Sequence, residues 1–150
     1  LNLLLGVHAK PPAAIRDISF SHLRARATQG SYIGGNPGHR IEGVRLHEVS
    51  LYLSGAEVDG QFDGAAPRPS GELGVPSGLY VREVSGLRAT GLQVRWGDVG
   101  GAWRHAIEID TCDDVVLTGV EAEAPPTDGV GEALRSDGVE GLQVSRLGDA

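Results

Sequence analysis

The sequence has no methionine and a single cysteine, Cys112, so no disulfide within the chain can hold its fold together. Aromatic residues are scarce, at two Phe, two Trp and three Tyr, which leaves Val, Leu, Ile and Ala to build the core. Thirteen basic residues against 20 acidic ones give a formal charge of −7, and the arginines are scattered instead of forming the stripe that a grip on phosphates requires. Nucleic acid is therefore not an expected partner. No run approaches the roughly 20 apolar residues of a membrane helix, and the start LNLLLGVHAKPP is too short and wrongly flanked for a signal peptide. The chain reads as soluble, with no membrane partner. Phosphate loop, zinc signature, G-x-S-x-G elbow and dinucleotide fingerprint are all missing, so neither a metal nor a cofactor is expected.

What the sequence does have is glycine, 23 in 150 residues, the composition of tight turns joining pleated strands. The length suits one domain. One hexapeptide pattern recurs five times, as IRDISF from Ile15, IEGVRL from Ile41, VSGLRA from Val84, CDDVVL from Cys112 and VEGLQV from Val139. Apolar residues recur at offsets 0, 3, 5 and 8 from each start, giving for example Val84/Leu87/Ala89/Leu92 and Cys112/Val115/Leu117/Val120. Cys112 thus falls in an apolar register and reads as a small buried residue instead of a nucleophile.

The starts are 26, 43, 28 and 27 residues apart, so one interval carries an insertion, the Gly/Pro/Ser-rich stretch 56–78. A second apolar register lies five and three positions before the hexapeptide in three coils, as Leu79/Val81, Ile107/Ile109 and Leu134/Ser136. It predicts a strand whose outward positions are Tyr80/Arg82, Glu108/Asp110 and Arg135/Asp137. A third strand is predicted around Val49/Leu51, Leu92/Val94 and Val120/Ala122.

Strands this short cannot bury an apolar face alone, but stacked about 4.8 Å apart they line equivalent residues into continuous ladders. The pattern predicts an all-β fold, a right-handed parallel β-helix of about five coils. Leucine-rich repeats share the period but need an LxxLxL consensus, which is missing, and a β-sandwich would not require identical offsets in every repeat.

Chemistry is harder to find. Asp113-Asp114 occupies the same place in the repeat as Glu42-Gly43 and Ser85-Gly86, the place of a polar turn leading into a strand. The corner Gly34-Gly35-Asn36-Pro37-Gly38-His39-Arg40 carries two cationic or titratable side chains that could meet an anionic ligand, although a plain solvent-facing corner is the favoured reading. Glu108/Arg135 and Arg82/Asp110 fall on neighbouring coils and predict cross-strand charge pairs.

The runs IRDISFSHLRA, SYIGGNPGHRIEGVRLHEVSL, PRPSGELGVPSGLYVREVSGLRATGLQVRW and AIEIDTCDDVVLTGV together resemble the C-terminal coils of glycoside hydrolase family 28, in its polygalacturonase and rhamnogalacturonidase-like branch. The resemblance implies a single-stranded, pectin-lyase-like β-helix and hydrolysis of α-linked galacturonic acid bonds with inversion. It also implies a pectin-type polysaccharide or oligosaccharide as partner, a monomeric full-length protein and a secreted or extracytoplasmic place.

The family's catalytic set comes from NTD, DD, GHG and RIK segments on the strand before the hexapeptide, its carboxylates from the Asp-bearing ones. None of these is found here, since Asp113-Asp114 lies elsewhere in the coil and Pro37-Gly38-His39 is not GHG. The implied arrangement is that residues 1–150 form the C-terminal part of a single β-helix domain, with the catalytic coils upstream of Leu1 and no catalytic residue in the chain itself. Alone, such a piece should be inactive and poorly soluble. Nearest the implied cleft stand His8 and Lys10, whose positive character would meet a uronate carboxylate. The sugar-contacting tyrosine of pectin-cleaving members has no counterpart in LNLLLGVHAK. The other reading is a non-catalytic carbohydrate-binding or adhesin-type scaffold.

Overall fold

The computed structural model describes residues 4–6, 14–55, 57–58, 62–64, 74–127, 131–145 and 147–148. Among them there are strands and turns but no helix. In chain order, β1 (Leu4–Gly6) is followed by β2 (Arg16–Ser21) and β3 (Arg24–Ala27). Next come β4 (Ser31–Gly34), β5 (Ile41–His47), β6 (Ser50–Leu53) and the short β7 (Glu57–Val58). The third round is β8 (Leu79–Arg82), β9 (Val84–Thr90), β10 (Gln93–Trp96) and β11 (Gly100–Gly101). The chain continues through β12 (His105–Asp110), β13 (Asp113–Thr118) and β14 (Glu121–Ala122), and closes with β15 (Glu132–Asp137) and β16 (Glu140–Ser145).

These strands sort into three main parallel sheets, each taking one strand from successive rounds. The first sheet runs β1-β4-β8-β12-β15, the second β2-β5-β9-β13-β16 and the third β3-β6-β10-β14, with β7 and β11 forming a parallel pair of their own. The register is that of the sequence repeat. Leu87 pairs with Val115 and Val115 with Leu142, while Leu79 pairs with Ile107 and Ile107 with Leu134. Period-two alternation turns these residues inward, where Val44, Leu87, Val115, Ile33, Val81 and Ile109 are almost fully removed from water. Ladder residues of all three sheets join one core cluster. Cys112 belongs to it, and burial pushes its thiol up to about 11, which keeps it protonated and fits a packing role.

The hexapeptide's third residue explains the recurrent Gly or Asp. Asp17, Gly43, Gly86, Asp114 and Gly141 all have φ between 54° and 80°, the left-handed region that glycine enters freely and aspartate tolerates. Pairing skips this residue on both strands alike, as Arg16 pairs with Glu42 and Ile18 with Val44, so the skipped positions stand one over the next. A second left-handed column, His22, Glu48, Gly91 and Gly119, marks the corner between the second and third sheets. Each of its N–H groups donates to the carbonyl of the corner one coil further on, His47, Thr90, Thr118 and Ser145 respectively, so the turns are hydrogen-bonded like strands.

The second coil departs from the predicted spacing. Ser31 pairs with Leu79, yet ten positions separate Ser31 from Ile41 where five separate Leu79 from Val84. The corner 35–39 is the extra length, closed by an antiparallel bridge between Asn36 and His39. This is why β4 is invisible to the five-and-three register.

Candidate functional site

The resemblance directs attention to the outer face of the first sheet. Pairing stacks Tyr32 on Tyr80 and Tyr80 on Glu108, and in the next column Arg82 on Asp110 and Asp110 on Asp137. Alternation predicts Tyr80 as an outward side chain, but it is buried, because Phe62 and Val75 of the insertion pack over it. Phe62 sets its edge against Tyr80 (centroids 4.9 Å) and Tyr32 (6.2 Å), the two tyrosines stack at 5.8 Å, and Val75 completes the cluster. Tyr32 Oη donates to the Gly64 carbonyl at 3.2 Å, and Arg104 Nη2 to the Phe62 carbonyl at 2.7 Å. Phe62, Gly64 and Val75 of the insertion therefore pack on the first sheet, which the composition did not disclose.

Two carboxylates of this face, Glu108 and Asp110, are engaged. Tyr80 Oη donates to Asp110 Oδ2 at 2.8 Å, Thr111 Oγ1 to Asp110 Oδ1 at 2.8 Å, and Arg82 Nε stands 4.0 Å from Asp110. The expected Arg82/Asp110 pair is present, though long. Glu108 accepts from Ser77 Oγ at 2.7 Å, and Arg135 turns to Glu132 at 3.5 Å, so the expected Glu108/Arg135 contact is replaced by two others. With donors already fixed on both acids, Glu108 and Asp110 are held in place to orient a polar ligand.

The corner cation is also engaged. Arg40 pairs with Glu83 at 3.3 Å through Nε and with Asp113 through Nη1, while Ser85 Oγ donates to Asp113 at 2.9 Å. Arg40 thus fastens the corner to two later coils, and is not a free handle for an anion; His39 beside it is exposed. Arg88 holds Asp114 through one nitrogen, Nη2, which lies 2.9 Å from both carboxylate oxygens, while Nη1 donates to the Asp114 carbonyl at 2.7 Å. His8 and Lys10 lie outside the described residues, as does most of the insertion.

Burial raises Tyr32 to about 12, and burial followed by the Asp110 hydrogen bond raises Tyr80 further in the same direction. A phenol whose folded pKa exceeds its unfolded one stabilises the fold fully below about pH 10, and that contribution is lost as the pH climbs through the folded value. Stability is therefore expected to fall between about pH 10 and pH 12, and Tyr32→Phe to flatten that fall. Urea midpoints measured across this window check it, and an unchanged alkaline slope in the variant contradicts it.

Comparison with family models, with curated proteins and with solved structures finds no match to this chain.

Proposed function

We propose that the chain is a right-handed, single-stranded parallel β-helix, and that it supplies the C-terminal coils of a pectin-degrading glycoside hydrolase acting on polygalacturonan or rhamnogalacturonan. Three sheets visited in the same order in successive rounds, all in parallel register, support the helix; its hand follows the general chirality of parallel crossovers. The observation that carries the functional reading is the packing of Phe62 and Val75, which flank the Pro-rich stretch that most resembles the hydrolase family, on Tyr32 and Tyr80 of the first sheet, the sheet whose strands precede the hexapeptide. In this reading that aromatic cluster borders the substrate cleft, and the inverting carboxylates, held about 6.5–9.5 Å apart to admit water, stand on coils preceding Leu1.

The engagement of Glu108, Asp110, Asp113 and Asp114 with donors and cations favours the second reading, a carbohydrate-binding scaffold without chemistry. One experiment separates the two. A polypeptide carrying the preceding coils is expected to release reducing ends from polygalacturonate, with the product's anomeric configuration inverted by proton NMR, while residues 1–150 alone release none. Binding without hydrolysis by the longer polypeptide establishes the scaffold instead.

A further inference from the structure

Two imidazoles meet at the corner between the second and third sheets. His22 follows β2 and takes the first place in the left-handed corner column, at φ 55°, where later coils put Glu48, Gly91 and Gly119. His47 ends β5 in the next coil. A backbone hydrogen bond, from the His22 N–H to the His47 carbonyl at 2.9 Å, ties the two residues together across the coils. Their rings meet edge to face with centroids 5.4 Å apart. Both residues are exposed, and neither ring makes a hydrogen bond among the described residues.

Imidazole is the commonest metal ligand among side chains, and this spacing suits a particular geometry. With zinc–nitrogen bonds of about 2.0–2.1 Å and a ring centre about 1.1 Å behind each nitrogen, two imidazoles on one tetrahedral zinc have centroids about 5.2 Å apart. The observed 5.4 Å already matches that separation, and rotation about χ2, a broad torsion, aims a nitrogen of each unrestrained ring at a common point. An ion that prefers square-planar geometry needs the rings closer, about 4.5 Å apart. Glu48 lies over Gly91 of the third coil, where a Cβ would meet its carboxylate. Among the described residues no cluster of three His, Cys, Asp or Glu side chains forms, so water fills the other two positions of a tetrahedral ion here.

We propose that His22 and His47 bind a zinc ion that clips the first coil to the second. The ion replaces an edge-on ring contact with two coordinate bonds across the coils, and a chain of net charge −7 draws cations to its surface. The backbone hydrogen bond holds both ligands in place before the ion arrives, which lowers the entropy lost on binding. Closed structural zinc sites use four protein ligands, so a two-histidine site holds its ion more weakly and exchanges it. Its effect is on stability, since an ion bound by the folded chain in preference to the unfolded one shifts the balance towards the fold as its concentration rises. The clip belongs to the corner of the second and third sheets, so it neither uses nor tests the cleft proposed on the first.

Zinc titration of the metal-free chain in competition with a chromophoric chelator tests the clip. One saturable site per chain is expected, weakened at least tenfold in His22→Asn and in His47→Asn, while His39→Asn at the exposed 35–39 corner leaves it unchanged. Asparagine tolerates the left-handed backbone of His22, so without metal both variants should melt within about 2 °C of wild type. In about 1 mM zinc the wild type should melt at least about 3 °C higher, and neither variant should gain more than half of that rise. Nitrogen-15 spectra of the wild-type histidine rings give an answer even if a variant fails to fold, with zinc expected to move the His22 and His47 ring resonances first. Equal affinity in wild type and both variants, ring shifts confined to other histidines, or no saturable binding up to about 1 mM zinc overturns the proposal. A loss in one variant alone overturns the two-ligand site, and a wild type that melts no higher with zinc overturns the clip.

Discussion

Val115→Asp is expected to unfold the chain at pH 7 and 25 °C, while Val116→Asp, one residue along, changes stability by no more than about 0.5 kcal/mol. Val115 is fully buried and pairs with Leu87 on one side and Leu142 on the other, so a carboxylate there has apolar ladder above, below and across. An unpaired buried charge costs several kcal/mol, set against a total stability of about 5–15 kcal/mol for a domain. Val116 faces outward beside Arg88, where an aspartate meets water and a cation. The pH dependence has a definite sign. Burial raises the folded pKa of the new carboxyl above its unfolded value near about 4, so the variant is least destabilised in acid and loses stability as the pH rises. Circular dichroism melts of both variants at pH 4 and pH 7 decide the matter; equal stability of the pair at pH 7 contradicts the ladder.

That contrast between neighbouring residues was legible in the sequence, because it depends only on period two and identical offsets. The five hexapeptides, the strand before them and the strand after them stand where the repeat places them, and Cys112 is buried as its register predicts. The reading stopped where length departed from the repeat. The corner 35–39 displaced β4 from its expected offset, and a search for fixed spacing has no way to see a strand behind an inserted loop. The insertion's Gly and Pro announce turns, but they say nothing of which face the loop returns to. Only Phe62, one of two phenylalanines in the chain, hinted at an anchor, and it had no periodic partners to draw attention to it. The His22/His47 pair was missed for a different reason. The two histidines stand at different offsets of successive repeats, and only the hydrogen-bonded corner brings their rings together.

Arg40 carries the second large expectation. It is the one residue of the 34–40 corner that reaches both later coils, and Glu83, its partner at 3.3 Å, retains only 9% of its side-chain exposure. Glu83 also sits at a left-handed corner, φ 52°, and its carbonyl accepts the Ile41 N–H, so backbone and side chain tie the same two turns together. Removing the guanidinium leaves a carboxylate with little water and no cation, a condition that costs about 3 kcal/mol. For a chain of this length Arg40→Ala should lower the melting temperature by roughly 6–12 °C. If the unpaired charge is the cause, Glu83→Gln in the Arg40→Ala background recovers at least half of the loss, since a neutral amide needs no counter-ion. Added salt should destabilise the wild type less than the mutation does, because a part-buried pair is screened less than an exposed one. Thermal melts of the two single variants and the double variant form the complete cycle. A drop of less than about 2 °C in Arg40→Ala, or a double variant no better than the single, would show that the corner is held by its backbone bonds, with the ion pair incidental to them.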